Sequence, residues 1–74
     1  MKGINFDRHA RRRMQWRKIT EEEVRFVLEE PDRIETTLYD RVNAYREVGM
    51  RHLKVTYNET ENELLIISVV DKND

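Results

Sequence analysis

The sequence predicts an α+β domain in which two N-terminal helices pack on one face of a four-stranded antiparallel sheet. Apolar residues recur at helical spacing up to about residue 30 and alternate with polar residues from Ile34 onward. The links between the later apolar segments are too short for a crossover helix, which favours antiparallel neighbours. Because a chain of 74 residues has room for one modest core, residues 1–74 are assigned to a single domain.

The segment before the first helix, residues 1–6, is interpreted as either a brief edge strand or an irregular lead-in. Asp7 then provides a helix cap, and we predict the first helix near residues 8–17. Ala10 and Met14 form a narrow apolar stripe on this helix. The helix therefore has a small buried side and a wide polar side.

The polar side of the first helix holds the densest positive charge in the chain. One flank carries three side chains at successive i, i+4 positions: His9, Arg13 and Arg17. Trp16 and Arg12 extend this flank, so an aromatic ring lies among guanidinium groups. Of the two roles open to Trp16, packing and base stacking, we favour packing because aromatic residues dominate small cores.

The second helix is predicted near residues 20–30 from the signals at both of its ends. Thr20 followed by Glu23 forms a capping box, and Ile19 precedes it as a hydrophobic staple. The buried stripe consists of Val24, Val27 and Leu28. Pro31 ends the helix, because the residue before a proline is driven out of the α region.

Four strands are predicted between residues 33 and 70. Three of them alternate, with apolar or β-branched positions at Ile34, Thr36 and Leu38, at Val42, Ala44 and Val48, and at Leu53, Val55 and Tyr57. Short links at Asp40, Gly49-Met50 and residues 58–62 allow hairpins. The fourth strand, residues 64–70, is apolar on both faces, which predicts a more central position than that of the alternating strands.

The link at Gly49-Met50 matches a two-residue type II′ turn and therefore predicts a register. Val48 then lies opposite Arg51, and Glu47 lies opposite His52. Alternation places six polar or titratable residues on one face: Asn43, Tyr45, Glu47, His52, Lys54 and Thr56.

The opposed Glu47 and His52 side chains allow two interpretations. One is an ordinary cross-strand ion pair, which contributes a few tenths of a kcal/mol, roughly, to stability. The other is a general base with its orienting or acid partner. Both interpretations stay open on the sequence alone.

Charge is segregated along the chain although the formal net charge is only -1. Residues 1–18 hold seven Lys or Arg against one Asp, and residues 19–32 hold six acidic residues against one Arg. This pattern suits an anion-binding patch beside an acidic surface that stays in water or binds a basic partner. Simple charge pairing between the two helices explains it equally well.

Several classes of protein are excluded by composition. No apolar run approaches the roughly 20 residues of a membrane span, and the N-terminus lacks the apolar region of a signal peptide. We therefore expect a cytoplasmic protein with no membrane association. With zero Cys and two His far from any carboxylate cluster, the sequence predicts no metal site and no cofactor.

The ordered run H-A-x-x-R-M-x-x-R-x-I-T from His9 to Thr20 resembles the signature of an uncharacterised prokaryotic family, a domain of unknown function. The segments E-P-D at residues 30–32, Y-R at residues 45–46 and L-K-V-T-Y at residues 53–57 also fit, so the resemblance covers nearly the whole chain. The order of helices and strands is more distantly similar to the RelE-like and BrnT-like toxin ribonucleases of toxin-antitoxin pairs.

The toxin resemblance implies a metal-independent endoribonuclease that acts on single-stranded or messenger RNA and has a bound antitoxin as partner. The candidate catalytic residues are Glu47 and His52. The candidate nucleic-acid-binding residues are His9, Arg13, Arg17, Tyr45, Arg46, Arg51 and Lys54. The alternative is a non-catalytic module that binds nucleic acid or a protein, and an antitoxin-like protein and a second copy of the chain are both candidate partners.

Overall fold

The computed structural model describes residues 3–37 and 39–73 and contains two helices on one face of a five-stranded mixed sheet. In chain order the elements are β1 (Gly3–Phe6), α1 (Arg8–Arg17), α2 (Glu21–Glu29), β2 (Arg33–Thr36), β3 (Arg41–Val48), β4 (Arg51–Glu59) and β5 (Glu63–Asp71). The strands lie in the order β1-β5-β4-β3-β2. The predicted α+β class is therefore observed.

The prediction of a four-stranded, wholly antiparallel sheet is wrong. A fifth strand, β1, pairs in parallel with β5, and Gly3 lies opposite Glu63 while Phe6 lies opposite Ile66. Four residues are too few to show a clear period, and hairpin geometry detects only pairings between neighbours in sequence. The sequence near β1 therefore contains no local pattern that predicts its parallel pairing with a strand so distant in the chain.

The position predicted for the last strand also differs from the one observed. β4 occupies the centre of the sheet although it alternates, and β5 lies beside it between β1 and β4. The apolar residues on one face of β5 are explained by α1, which packs on this strand. Of the residues predicted for the first strand of the sheet, Leu38 lies outside the described residues.

Both helices begin where the sequence predicts. The Asp7 side chain accepts a hydrogen bond from the His9 backbone N–H at 3.2 Å. At α2, Thr20 and Glu23 form the complete capping box, with the Thr20 N–H donating to Glu23 Oε1 at 2.9 Å. The α2 helix ends at Glu29, two residues before Pro31. These ends are set by local chemistry, which explains why they were predictable.

The β3–β4 hairpin has the predicted register, from Val48 opposite Arg51 to Asn43 opposite Thr56. Gly49 has a φ of 63°, whereas Met50 does not have a positive φ, as a type II′ turn requires. Because a one-residue slip would move every side chain to the other face, this turn determines which residues face away from the helices.

The core lies between the two helices and the sheet. Its largest fully buried side chains are Leu53, Ile66, Val24, Val27, Val55 and Val69. Ala10 and Met14 of α1 join the same cluster, as do Ala44 and Tyr57 of the sheet. Residues that alternate with these on β3 and β4 therefore lie on the opposite face of the sheet.

Candidate nucleic-acid interface

The face of the sheet opposite the helices is called here the open face, and its central part comprises Asn43, Tyr45, Glu47, His52, Lys54 and Thr56. Three of these residues come from β3 and three from β4. All six were placed on one face by the sequence, and the observed register puts them there. The open face is therefore polar, and it includes both candidate catalytic residues.

A network of hydrogen bonds covers the part of the open face next to β2. Glu35 Oε1 accepts from Asn43 Nδ2 and from the Tyr45 hydroxyl, each at 3.1 Å. Asn43 Oδ1 in turn accepts from the Thr56 hydroxyl at 2.7 Å. Asn43 and Tyr45 are buried although no helix lies on this side, because these neighbours and Arg33 surround them. Four strand residues are thus held in one arrangement.

This network shifts the pKa of two of its members. The pKa of Glu35 is lowered, first by the Asn43 hydrogen bond and then by the Tyr45 hydrogen bond, because both stabilise the charged carboxylate. The pKa of Tyr45 is raised by burial and by its bond to Glu35. Tyr45 therefore keeps its proton at neutral pH and serves as a donor on this face.

Glu47 and His52 lie together at the end of the open face nearest the hairpin turn. His52 Nδ1 is 3.9 Å from Glu47 Oε1, and the two side chains are 36% and 76% exposed. The Tyr45 ring lies beside them, with its centroid 6.4 Å from that of His52. The pair is thus accessible to a large substrate, although its separation is that of an ordinary surface ion pair.

Two of the predicted nucleic-acid-binding arginines make contacts inside the domain instead. Arg46 Nη1 donates to the Glu30 carbonyl at 2.9 Å and to Asp32 Oδ1 at 3.1 Å, and its guanidinium lies 4.4 Å from the centre of the Phe26 ring. Both Arg46 and its cross-strand partner Leu53 belong to the helix-facing side. Arg46 therefore ties the end of α2 to β3.

Arg51 has a comparable position at the other end of α2. Its Nη1 donates to the Lys18 carbonyl at 3.0 Å and lies 3.5 Å from Glu23 Oε1. Arg51 thus connects β4 to the turn between the helices. The sequence placed both Arg46 and Arg51 in one set with Lys54, but the structure leaves only Lys54 of these three on the open face.

The outer face of α1 carries the other predicted binding residues. A groove of about 640 Å³ on this helix is lined by His9, Arg12, Arg13, Trp16 and Arg17. Trp16 is 85% exposed, so the prediction that it packs in the core is wrong. The buried stripe of α1 is only Ala10 and Met14, and Trp16 points away from it on the helix wheel.

A second, shallower pocket links α1 to the open face. It has a volume of about 340 Å³ and is lined by Arg17, Lys54, Val70, Asp71 and Lys72. Two of these residues are hydrogen-bonded to the His52 backbone. Asp71 Oδ1 accepts from the His52 N–H at 3.2 Å, and the Lys72 N–H donates to the His52 carbonyl at 2.7 Å. Basic groups from α1 and the sheet thus lie near the backbone of His52, together with the Asp71 carboxylate.

The sequence reasoning missed three residues at this interface: Arg33, Glu35 and Lys72. Arg33 lies 4.1 Å from the centre of the Tyr45 ring, and Glu35 lies opposite Asn43. The residues around Asp40 carry no two-residue turn signal like that of Gly49-Met50, so the pairing of Glu35 with Asn43 was not predictable from them. For Lys72, which comes after the apolar run, the sequence has no comparable signal.

Two further findings concern the described part of the chain alone. Within residues 3–37 and 39–73, no helix is long and apolar enough to span a membrane. The same residues contain no group of three or more His, Cys, Asp or Glu side chains that could hold a metal ion.

A comparison with protein families places the chain in a family. The family model described as "Domain of unknown function (DUF4258)" matches residues 6–71. No curated protein and no solved structure matches the chain significantly. The predicted resemblance to an uncharacterised family is therefore confirmed at the level of the family, while the H-A-x-x-R-M signature and the likeness to RelE-like and BrnT-like toxins stay predictions.

Proposed function

The chain belongs to the DUF4258 family, and from that premise we propose that it binds single-stranded RNA and cleaves it without a metal ion. In this proposal the domain is the toxin-like endoribonuclease of a toxin-antitoxin pair. The family is described only as a domain of unknown function, so the proposal depends on the geometry of the interface.

One observation carries this proposal: the cationic pocket next to His52. Arg17, Lys54 and Lys72 line it, and residues 71 and 72 are hydrogen-bonded to the His52 backbone. An RNA phosphate in this pocket would lie among these three basic side chains and the Asp71 carboxylate, next to the backbone of His52. RNA cleavage requires both proton transfer and charge stabilisation.

The proposed reaction is an intramolecular transesterification of the RNA, in which the phosphorus is transferred from the 5′-oxygen to the neighbouring 2′-oxygen. The ribose 2′-oxygen attacks phosphorus as its proton passes to the base, and the bond from phosphorus to the 5′-oxygen breaks as the acid protonates that oxygen. The products are a 2′,3′-cyclic phosphate and a 5′-hydroxyl. Glu47 is the proton acceptor and protonated His52 the donor, while Lys54 stabilises the charge on the phosphate oxygens.

The first prediction tests the acid/base pair. Purified wild-type protein and the His52→Ala and Glu47→Ala variants are incubated with single-stranded RNA in the presence of a chelator. Removing a general acid or base should lower cleavage by about 10² to 10⁴-fold and leave binding largely intact. Glu61→Ala is the matched control, because it removes one exposed carboxylate from the loop between β4 and β5. Equal cleavage by wild type and His52→Ala would remove His52 from the mechanism.

A second candidate function is a non-catalytic nucleic-acid-binding module. It is favoured by the 3.9 Å separation of Glu47 and His52 and by the high exposure of Glu47, since both are typical of a structural surface ion pair. No cleavage by wild type, combined with RNA binding that weakens steeply with salt, would establish this candidate over the first.

The edge of the sheet formed by β2 supports the proposal of a protein partner. All four residues of β2 are exposed, and Ile34 on the helix-facing side is 55% exposed. A strand edge with unpaired N–H and C=O groups can pair with a strand from another chain, either an antitoxin-like protein or a second copy.

The second prediction concerns this edge. Light scattering across a wide concentration range should show a dimer that Ile34→Lys disrupts, because a charged side chain on an edge strand opposes pairing. A monomer at all concentrations would exclude the second copy. Binding of a co-expressed neighbouring gene product that Ile34→Lys abolishes would then identify an antitoxin-like partner. If the wild-type protein formed no dimer and bound no such gene product, the proposal of a protein partner would be contradicted.

A further inference from the structure

Trp16 is the most unusual exposed side chain on α1. It is the single tryptophan of the chain, and 85% of its surface is accessible although tryptophan is usually among the most buried residues of a small domain. The buried residues of α1 are Ala10 and Met14, so the core contacts of this helix do not depend on Trp16. An indole this exposed is available to stack with a ligand.

The surroundings of Trp16 are cationic. Arg12 and Arg13 precede it by four and three residues, so both lie about one turn, or roughly 5.4 Å, away along the helix axis. Among the described residues neither side chain has an ion-pair or hydrogen-bond partner, whereas the Arg11 side chain on the same helix is bound to Glu21 at 2.7 Å. The groove therefore combines one flat aromatic surface with two guanidinium groups that no carboxylate of the described chain neutralises.

This combination restricts the class of ligand. The ligand must present a flat apolar surface to the indole and negative charge to Arg12 and Arg13, about one helical turn apart. Single-stranded nucleic acid alternates bases and phosphates in this way, and its bases are unstacked and accessible. A duplex hides the faces of its bases, and an acidic peptide supplies charge without a regularly spaced aromatic surface.

We propose that the outer face of α1 is a stacking site, in which an unpaired base lies on the Trp16 indole and the adjoining phosphates contact Arg12 and Arg13. The site takes bases of any sequence, since every base has a face that can stack. Arg17 lines both this groove and the pocket beside His52, so a bound strand runs from Trp16 toward the open face. The inference rests on the nucleic-acid binding in the proposed function and is independent of cleavage.

The experiment uses the fluorescence of the single tryptophan. Wild-type protein is titrated with a single-stranded oligothymidylate of roughly 12 nucleotides, which lacks the 2′-hydroxyl and cannot be cleaved by the proposed reaction. A parallel titration uses an abasic strand of the same length and charge. Stacking should quench the fluorescence with oligothymidylate and leave it nearly unchanged with the abasic strand, although both strands bind.

Variants separate the base contact from the phosphate contacts. Trp16→Ala should weaken oligothymidylate binding by roughly 5- to 150-fold, measured by the anisotropy of a labelled strand, and should leave abasic-strand binding within about two-fold of wild type. Trp16→Phe should restore part of the loss. Met50→Ala is the matched control, because Met50 is 97% exposed and belongs to the β3–β4 hairpin turn, so it does not line the groove on α1.

The outcomes distinguish this inference from the proposed function. Equal affinity of wild type for the two strands, or tight binding that Trp16→Ala leaves unchanged, overturns the stacking site even if the chain cleaves RNA. A fluorescence change with anionic lipid vesicles or polyglutamate in the absence of any change with oligothymidylate also overturns it. Quenching together with the Trp16→Ala loss supports it, even if wild type and His52→Ala show no cleavage.

Discussion

The arginines between α2 and the sheet and the arginines on the outer face of α1 differ in what surrounds their guanidinium groups. Arg46 and Arg51 donate to backbone carbonyls and lie within reach of a carboxylate. Arg12 and Arg13 have no such partner among residues 3–37 and 39–73, and they flank an exposed tryptophan. The same residue type thus holds the fold together in one region and presents uncompensated charge in the other.

This difference shows that charge alone does not identify a binding surface. Arg46, Arg51 and Lys54 are close in sequence and all cationic, yet two of them are directed toward the helices. The distinction depends on which side of a strand a residue lies and on whether an acceptor is near it. Mutation of an arginine next to α2 should therefore lower stability, whereas mutation of an arginine on the outer face of α1 should weaken binding.

The largest effect expected from this comparison is on stability. Arg46→Ala should lower the free energy of unfolding by about 1–3 kcal/mol, because it removes charge-assisted hydrogen bonds to Glu30 and Asp32 and the contact with Phe26. Arg13→Ala should change it by no more than about 0.5 kcal/mol, as expected for an exposed side chain that has no partner within residues 3–37 and 39–73. Urea denaturation of the two variants measures both values.

The same pair of variants should behave oppositely in binding. Arg13→Ala should weaken oligothymidylate binding and reduce the slope of log affinity against log salt concentration by about one, because one phosphate contact is lost. Arg46→Ala should leave this slope unchanged. If both variants lowered stability equally, or if Arg46→Ala alone changed the slope, the division into two regions would be wrong.

The smallest effect is expected on the open face, from Glu35→Gln. The pKa of Glu35 is lowered from its ordinary value of 4.5, so its contribution to stability is present above that value and is lost as the pH falls through the lowered pKa. Wild type should therefore exceed Glu35→Gln in stability at neutral pH, and the difference should disappear in acid.

Urea denaturation of wild type and of Glu35→Gln, repeated from neutral pH into the acid range, measures this difference in stability. The comparison between the two proteins cancels the titration of the other carboxylates, since these are common to both. A difference in stability that does not vary with pH would contradict the hydrogen-bonded arrangement of Glu35 with Asn43 and Tyr45.

The sequence was sufficient where the determining chemistry is local. The capping box at Thr20, the end of α2 before Pro31 and the turn at Gly49 each depend on a few adjacent residues, and each was predicted correctly. The hairpin register followed from the turn, and it placed Glu47 opposite His52.

The errors concern partners that are distant in sequence. Arg51 donates to a carbonyl 33 positions away, and β1 pairs with a strand at the other end of the chain. Neither contact leaves a periodic signal in the residues that make it. Trp16 was assigned to the core from the average behaviour of tryptophan, but the buried stripe of α1 consists of Ala10 and Met14 and faces away from it.

The parallel pairing of β1 with β5 has a consequence for how the domain forms during its synthesis. Gly3 and its partner Glu63 are 60 positions apart, which corresponds to roughly 3–12 s of translation at about 5–20 residues per second. Throughout this interval β1 has been made but lacks its neighbour, because the pairing spans nearly the whole chain. Nascent chains on the ribosome should therefore acquire their protease-resistant form only after β5 has left the exit tunnel.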